Sequence, residues 1–183
     1  MTPQQLADCV GCGILTAAQW VDHITRAMTL YGIDTPRRQA AFLAQIGHES
    51  GGLHYTSEIW GPTPAQRRYE GRRDLGNTQP GDGSRFRGHG LIQTTGRANH
   101  ARVRDRLRKR FPELNVPDFE ADPLKLTEPQ WAAMSAADFW DDKGLTKLAD
   151  DGKFDAITQR VNGGQNGRDD RQERFIRCLG VLA

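Results

Sequence analysis

Apolar residues recur along this chain at helical intervals. Ala17, Trp20, Val21, Ile24, Ala27, Met28 and Tyr31 form one stripe of a helix that Thr16 opens as N-cap and Gly32 closes. Thr35-Pro36 pairs an N-cap with a first-turn proline and starts a second helix, in which Ala40, Ala41, Phe42, Leu43, Ala44 and Ile46 make the buried face. Gly51 and Gly52 stop it just after Glu49. Residues 98 to 111 read as a basic helix marked by Val103 and Leu107 and ended by Pro112. Thr127 caps a deeply buried helix carrying Trp131, Met134, Ala137, Phe139 and Trp140. Phe154, Ile157 and Val161 mark a short helix that ends at Asn162-Gly163-Gly164. Asp169 begins the last one, with Phe175, Ile176, Leu179 and Leu182 turned inward.

Between Ser50 and Arg87 the periodicity is lost to Gly, Pro, Asp and Asn. A loop of that length inside a compact chain is functional or disordered, and its aromatics Tyr55, Trp60, Tyr69 and Phe86 argue for an ordered cleft wall. The pattern predicts a mainly α fold: one domain over residues 1–183, with a short segment, 1–15, packed on it.

Composition changes that picture little. With 37% hydrophobic and 26% charged residues the chain is an ordinary folded one, not a disordered one. Net charge is only +2, yet residues 85 to 110 hold nine Arg or Lys against Asp105, a local +8. Such a run fits a solvated helix face, an anionic wall polymer or nucleic acid. Cys9, Cys12 and Cys178 are odd in number and lack a second C-x-x-C pair, so neither a zinc site nor a disulfide framework is expected, and redox chemistry is disfavoured. The N-terminus has no basic and apolar signal regions, and no apolar run reaches the length of a membrane span, so synthesis in the cytoplasm without stable membrane insertion is expected.

The candidate chemistry begins at Glu49. A carboxyl at a rigid helix end, half against apolar side chains, is expected to titrate high enough to act as a general acid, as glycosidic cleavage requires. Glycosidases pair such an acid with a second carboxylate, about 5 to 5.5 Å away for retention or about 6.5 to 9.5 Å for inversion. Glu58 and Glu70 are the candidates, with the segment Gly88-His89-Gly90-Leu91-Ile92-Gln93-Thr94-Thr95-Gly96 as a third element of the site. His48-Glu49 lacks the H-E-x-x-H spacing of a zinc protease, so no metal and no cofactor is expected.

Taken together, His48-Glu49-Ser50-Gly51-Gly52, Tyr69-Glu70-Gly71-Arg72, Arg85-Phe86-Arg87-Gly88-His89-Gly90 leading to Ile92-Gln93 and Asn99, and Val161-Asn162-Gly163-Gly164 resemble the glycoside hydrolase family 19 chitinases, particularly their phage endolysin branch. The resemblance runs over nearly the whole chain and implies a lysozyme-like helical fold. It implies Glu49 as general acid, Thr95 as a hydroxyl that helps hold the attacking water, and Gln93, Asn99 and Asn162 as sugar contacts. His48, Tyr55, Glu70 and Arg87 join them as candidate substrate-binding residues. Glu58 is preferred over Glu70 as the second carboxylate, because arginines flanking Glu70 suit an ion-paired loop anchor. His89 stands where the family commonly has Arg, which predicts greater pH sensitivity.

The resemblance implies an endolysin that cuts β-1,4 bonds in peptidoglycan strands with inversion. Such a protein is expected to be a monomer, made in the host bacterial cytoplasm and released to the wall through a holin pore. Chitin is the alternative substrate. A basic binding module without catalysis, with nucleic acid or the wall as its partner, is the alternative of a different class, and no nucleic acid partner is expected.

Overall fold

A computed structural model describes all residues 1–183. The chain is mainly helical, without strands, and forms two compact units: residues 1–54 with 136–183, and residues 55–135.

The first unit holds α1 (Pro3–Val10), α2 (Ile14–Leu30) and α3 (Pro36–Glu49). Its later part adds the end of α7 (Pro129–Asp142), then α8 (Leu145–Asp150), α9 (Phe154–Asn162) and α10 (Arg168–Leu182). Thr2 and Gln5 form a capping box that starts α1, so the N-terminal segment is a true helix burying Leu6, Ala7, Cys9 and Val10. Helix α3 lies close on the end of α1: a Cβ at Gly47 would stand 3.0 Å from Val10 Cα, and one at Gly52 2.6 Å from Gly11 O. Phe42 meets the edge of Trp140 with centroids 5.6 Å apart. Arg38 grips Asp150 through two bonds of 2.7 and 2.8 Å, holding α3 to α8.

Four expectations need correction here, the first being that Thr127 ends a 3₁₀ turn and donates its hydroxyl to Leu124 O instead of capping α7. Cys9 and Cys178 form a disulfide that joins α1 to α10, and Cys12 is the free thiol. A separation of 169 residues left no local signal of that pairing. Helix α2 begins at Ile14 with Gly13 as an N-cap that makes no side-chain bond, so Thr16 lies inside the first turn. Its first residues were hidden from the periodicity because Ile14 and Leu15 are exposed. Ile176 also faces outward, whereas Cys178 and Arg171 are the buried residues of α10.

The second unit contains α4 (Pro64–Arg67), α5 (Asp82–Arg85), α6 (Arg97–Arg110), two single 3₁₀ turns and the start of α7. Phe86, Leu91, Leu107, Phe119 and Leu126 are fully buried in it. The segment expected as one irregular loop is thus broken by short helical pieces and pinned by buried polar groups. Asp82 accepts from the N–H groups of Thr78 and Gln79 and from two nitrogens of Arg97, at 2.6 to 3.1 Å. The Arg97 hydrogen bond holds the Asp82 carboxyl below its ordinary range, against the effect of burial.

The basic run is largely tied down. Arg104 reaches Asp105, Asp118 and Glu120, Arg85 donates to the carbonyls of Glu120 and Ala121, and Arg108 donates to the Val116 carbonyl. Much of the local +8 is therefore internal scaffolding, which weakens the binding-module alternative. No helix is long and apolar enough to cross a membrane.

Candidate active site

In the first unit Glu49 is the last residue of α3. Ser50, fully buried, closes that helix by donating to Ile46 O (2.6 Å) and accepting from Leu53 N–H (2.8 Å). The Glu49 side chain is about a quarter exposed, at 23%. Its neighbour differs from the expected apolar wall: Oε1 accepts a hydrogen bond from Arg171, which is 1% exposed. Arg171 also donates to Gln45 Oε1 (2.6 Å), and Gln45 Nε2 donates to Thr158 Oγ1 (3.0 Å). A buried polar line from α9 through α3 to α10 therefore fixes where the carboxylate stands.

The sequence left Arg171 unmarked, since it is one of many charges in its helix. The available clue lay on α3, where Gln45 and Glu49 stand one turn apart on a face otherwise apolar. His48 points to another partner, with Nδ1 2.6 Å from Asp170 Oδ2. Burial alone would raise the Asp170 carboxyl, but hydrogen bonds from Arg174 and His48 bring it below its usual range. A Cβ at Gly167 would sit 2.1 Å from the His48 ring, so only glycine fits that turn. Asn162 donates to Asn166 O (2.9 Å) and so braces the turn after α9.

In the second unit Glu58 lies on an extended segment. Its N–H donates to Gly88 O and the Gly90 N–H to Thr56 O, both at 2.8 Å, bracketing a bridge between Ser57 and His89. Every hydrogen bond to its carboxylate comes from a donor: Gln66 Nε2 at 3.0 Å and Tyr69 OH at 3.5 Å on Oε1, and Gly88 N–H at 3.0 Å on Oε2. Burial, then the nearby Glu58 charge, raises the Tyr69 phenol. Glu70 differs: its two oxygens accept from Gly81 N–H and Gly83 N–H, each at 2.7 Å, and hold the start of α5. It is a loop anchor, but through backbone amides instead of the flanking arginines.

Gln93, Thr95 and Asn99 form a ladder of side chain to backbone. Gln93 Nε2 donates to Gly90 O, Thr95 Oγ1 to Gln93 O and Asn99 Nδ2 to Thr95 O, at 2.7 to 3.0 Å. Gln93 takes a left-handed φ of 54°, rare for a residue with a side chain, and its amide packs where a Cβ at Gly88 would be 2.6 Å away. Tyr55 is 49% exposed. Arg87 donates to Ser84 O at 2.9 Å.

His89 is buried as a neutral ring. His100 Nδ1 is 2.9 Å from the Gly96 carbonyl, which only accepts, so His100 Nε2 carries the lone pair and His89 Nδ1 donates to it across 3.0 Å. Burial, then the neighbouring His100 and Arg87, lowers His89 to about 3, and burial lowers His100 to about 4. His89 Nε2, Arg87 Nε and Ser57 Oγ are buried without a protein partner. His89 therefore supplies no cation near neutral pH, which moves its expected pH effect from the chemistry to the fold.

No model of a protein family matches the sequence. The structure is similar to that of chitinase C from Streptomyces griseus, with a TM-score of 0.73 and 20% identity over 98% of this chain and 75% of that one. The fold is thus that of the lysozyme-like, chitinase-type glycoside hydrolases. A Haemophilus influenzae glycosyl hydrolase family 19 domain-containing protein is 33% identical over 161 residues, 73% of this chain and 74% of that protein. An Arabidopsis thaliana endochitinase is 31% identical over 86% of this chain, which spans 50% of that enzyme's length. The chain belongs to glycosyl hydrolase family 19.

Proposed function

We propose that this chain is an endolysin that hydrolyses the β-1,4 glycosidic bonds of bacterial peptidoglycan, with Glu49 as general acid and Glu58 as general base. The observation that carries the chemistry is the contrast between the two carboxyl groups. Glu58 is ringed by donors on both oxygens, as a base that must stay an oriented acceptor requires. Arg171 engages Oε1 of Glu49, and in this reading Oε2 is the oxygen that gives its proton to the leaving glycosidic oxygen. Thr95, whose hydroxyl is aligned by Gln93 O, helps hold the water that Glu58 activates, and the product is inverted at the anomeric carbon. Gln93, Asn99 and Asn162 contact the sugars. In this reading the protein works as a monomer that reaches the wall through a pore made by another protein.

Peptidoglycan is favoured by the endolysin-like motifs around Glu49 and Glu70. Chitin is the second reading, favoured by the names of the plant relatives. Purified peptidoglycan and chitin oligomers incubated with wild type, Glu49→Gln and Glu58→Gln decide between them, with fragments identified by mass and the new anomer by NMR. The expected result is muropeptide release by wild type, with both variants slower by about a hundredfold or more. Cleavage of chitin oligomers alone would make it a chitinase, and unimpaired Glu49→Gln would end the acid assignment.

A further inference from the structure

The Glu58 carboxylate is held by a side chain that no motif marked. Gln66 is 6% exposed and uses every hydrogen-bonding position it has. Its Oε1 accepts from Gly61 N–H (3.2 Å) and Thr63 N–H (2.7 Å), which fixes the orientation of the amide. The nitrogen must then face the other way, and it donates to Ile59 O (2.7 Å) and Glu58 Oε1 (3.0 Å). Backbone on both sides of the 58–66 loop is thereby clasped around one amide, and one arm of that clasp ends on the carboxylate. The same residue closes the capping box of α4 with Thr63, so the helix start and the carboxylate share one support.

We propose that Gln66 is a positioning residue for the reaction, orienting the Glu58 carboxylate toward the attacking water through an amide whose direction the loop backbone enforces. The proposal rests on Glu58 being the base. A neutral donor suits this place because it stabilises the carboxylate and fixes its rotamer without supplying a charge. The ionisable group in contact with Glu58 is Tyr69, itself beside Arg72, while Arg87 and His89 flank Gly88 along the chain. His89 is neutral at working pH, Tyr69 retains its proton and Arg87 stays charged, so none of them changes state there, and Gln66 and the Gly88 N–H are the two closest donors to the carboxylate.

The test follows the Gln66 side-chain amide by ¹⁵N NMR in the full chain as pH is lowered, beside the pH dependence of kcat/KM. The expected result is that the amide signals move with the acid limb of the rate profile and stay flat in Glu58→Gln. Gln66→Glu keeps acceptors for Gly61 and Thr63 but puts a second carboxyl against Glu58, and should move the acid limb up by about one pH unit. Gln66→Met should lower kcat by roughly tenfold to a hundredfold with KM little changed. Amide signals indifferent to pH in wild type, or a Gln66→Glu profile superimposable on wild type, would reduce Gln66 to a loop brace. Full activity of Glu58→Gln would remove Glu58 from the reaction, and this proposal with it, even where the amide follows pH.

Discussion

Cutting the Cys9–Cys178 bond should cost a large part of the stability of the fold. The bond closes a loop over a sequence separation of 169 residues. In the chain-entropy account a ring of that size destabilises the unfolded state by about 5 kcal/mol, and loss of native disulfides typically costs about 2 to 5 kcal/mol. Two contacts survive reduction and keep α1 on α10: Arg177 Nε to Asp8 O at 2.7 Å, and Arg174 to Val10 O. The reduced protein should therefore remain folded at neutral pH while losing about 3 to 5 kcal/mol. The assay is guanidinium unfolding with and without reductant, repeated on Cys178→Ser. The slope should steepen on reduction, because the opened chain exposes more surface when unfolded. Thiol titration of the oxidised protein in denaturant should find Cys12 alone. Three reactive thiols, or superimposable unfolding curves, would refute the reasoning.

Replacing Arg171 with Met keeps bulk but strands Gln45 Oε1 and the Glu49 carboxylate, so a loss of about 3 to 5 kcal/mol is expected in chemical denaturation, with activity lost at temperatures where the variant is still folded. The buried histidines give stability a pH dependence of defined sign. Both have folded-state values far below the ordinary 6.5, so the unfolded chain binds protons first and stability falls as pH drops from about 6.5 toward 4. Each histidine contributes up to about 1.4 kcal/mol per pH unit across that window, and His89→Asn should flatten the slope by one proton. Equal slopes in wild type and variant would show that His89 is not held neutral. Gly167→Ala should lower the melting temperature by several degrees, since φ is 68° there and the new methyl meets His48.

What the sequence disclosed was local. Thr35-Pro36, the apolar face of α3 and the Gly51-Gly52 stop depend on neighbours within a turn or two, and they placed Glu49 at its helix end. The ladder of Gln93, Thr95 and Asn99 likewise lies within one short motif. What stayed hidden was carried by distant partners. Arg171 meets Glu49 across 122 residues and Cys178 meets Cys9 across 169, with no spacing rule to announce either. Gln66 was silent for a different reason: its meaning lies in four hydrogen bonds to a loop whose path no periodicity describes.

The joined helices α1 and α10 also bear on how this chain could be rearranged. Their linked residues have Cα atoms 4.5 Å apart, so the molecule is topologically close to a ring whose opening happens to fall between its first and last helices. A short linker from Ala183 to Met1 would complete the circle, and the exposed turn at Asp151, Gly152 and Lys153 offers another place to open it. A permutant beginning there would run through α9, α10 and α1 as one uninterrupted hairpin-like stretch. It would reach Glu49 in the middle of its sequence, with a cross-link that now spans 169 residues turned into a local one.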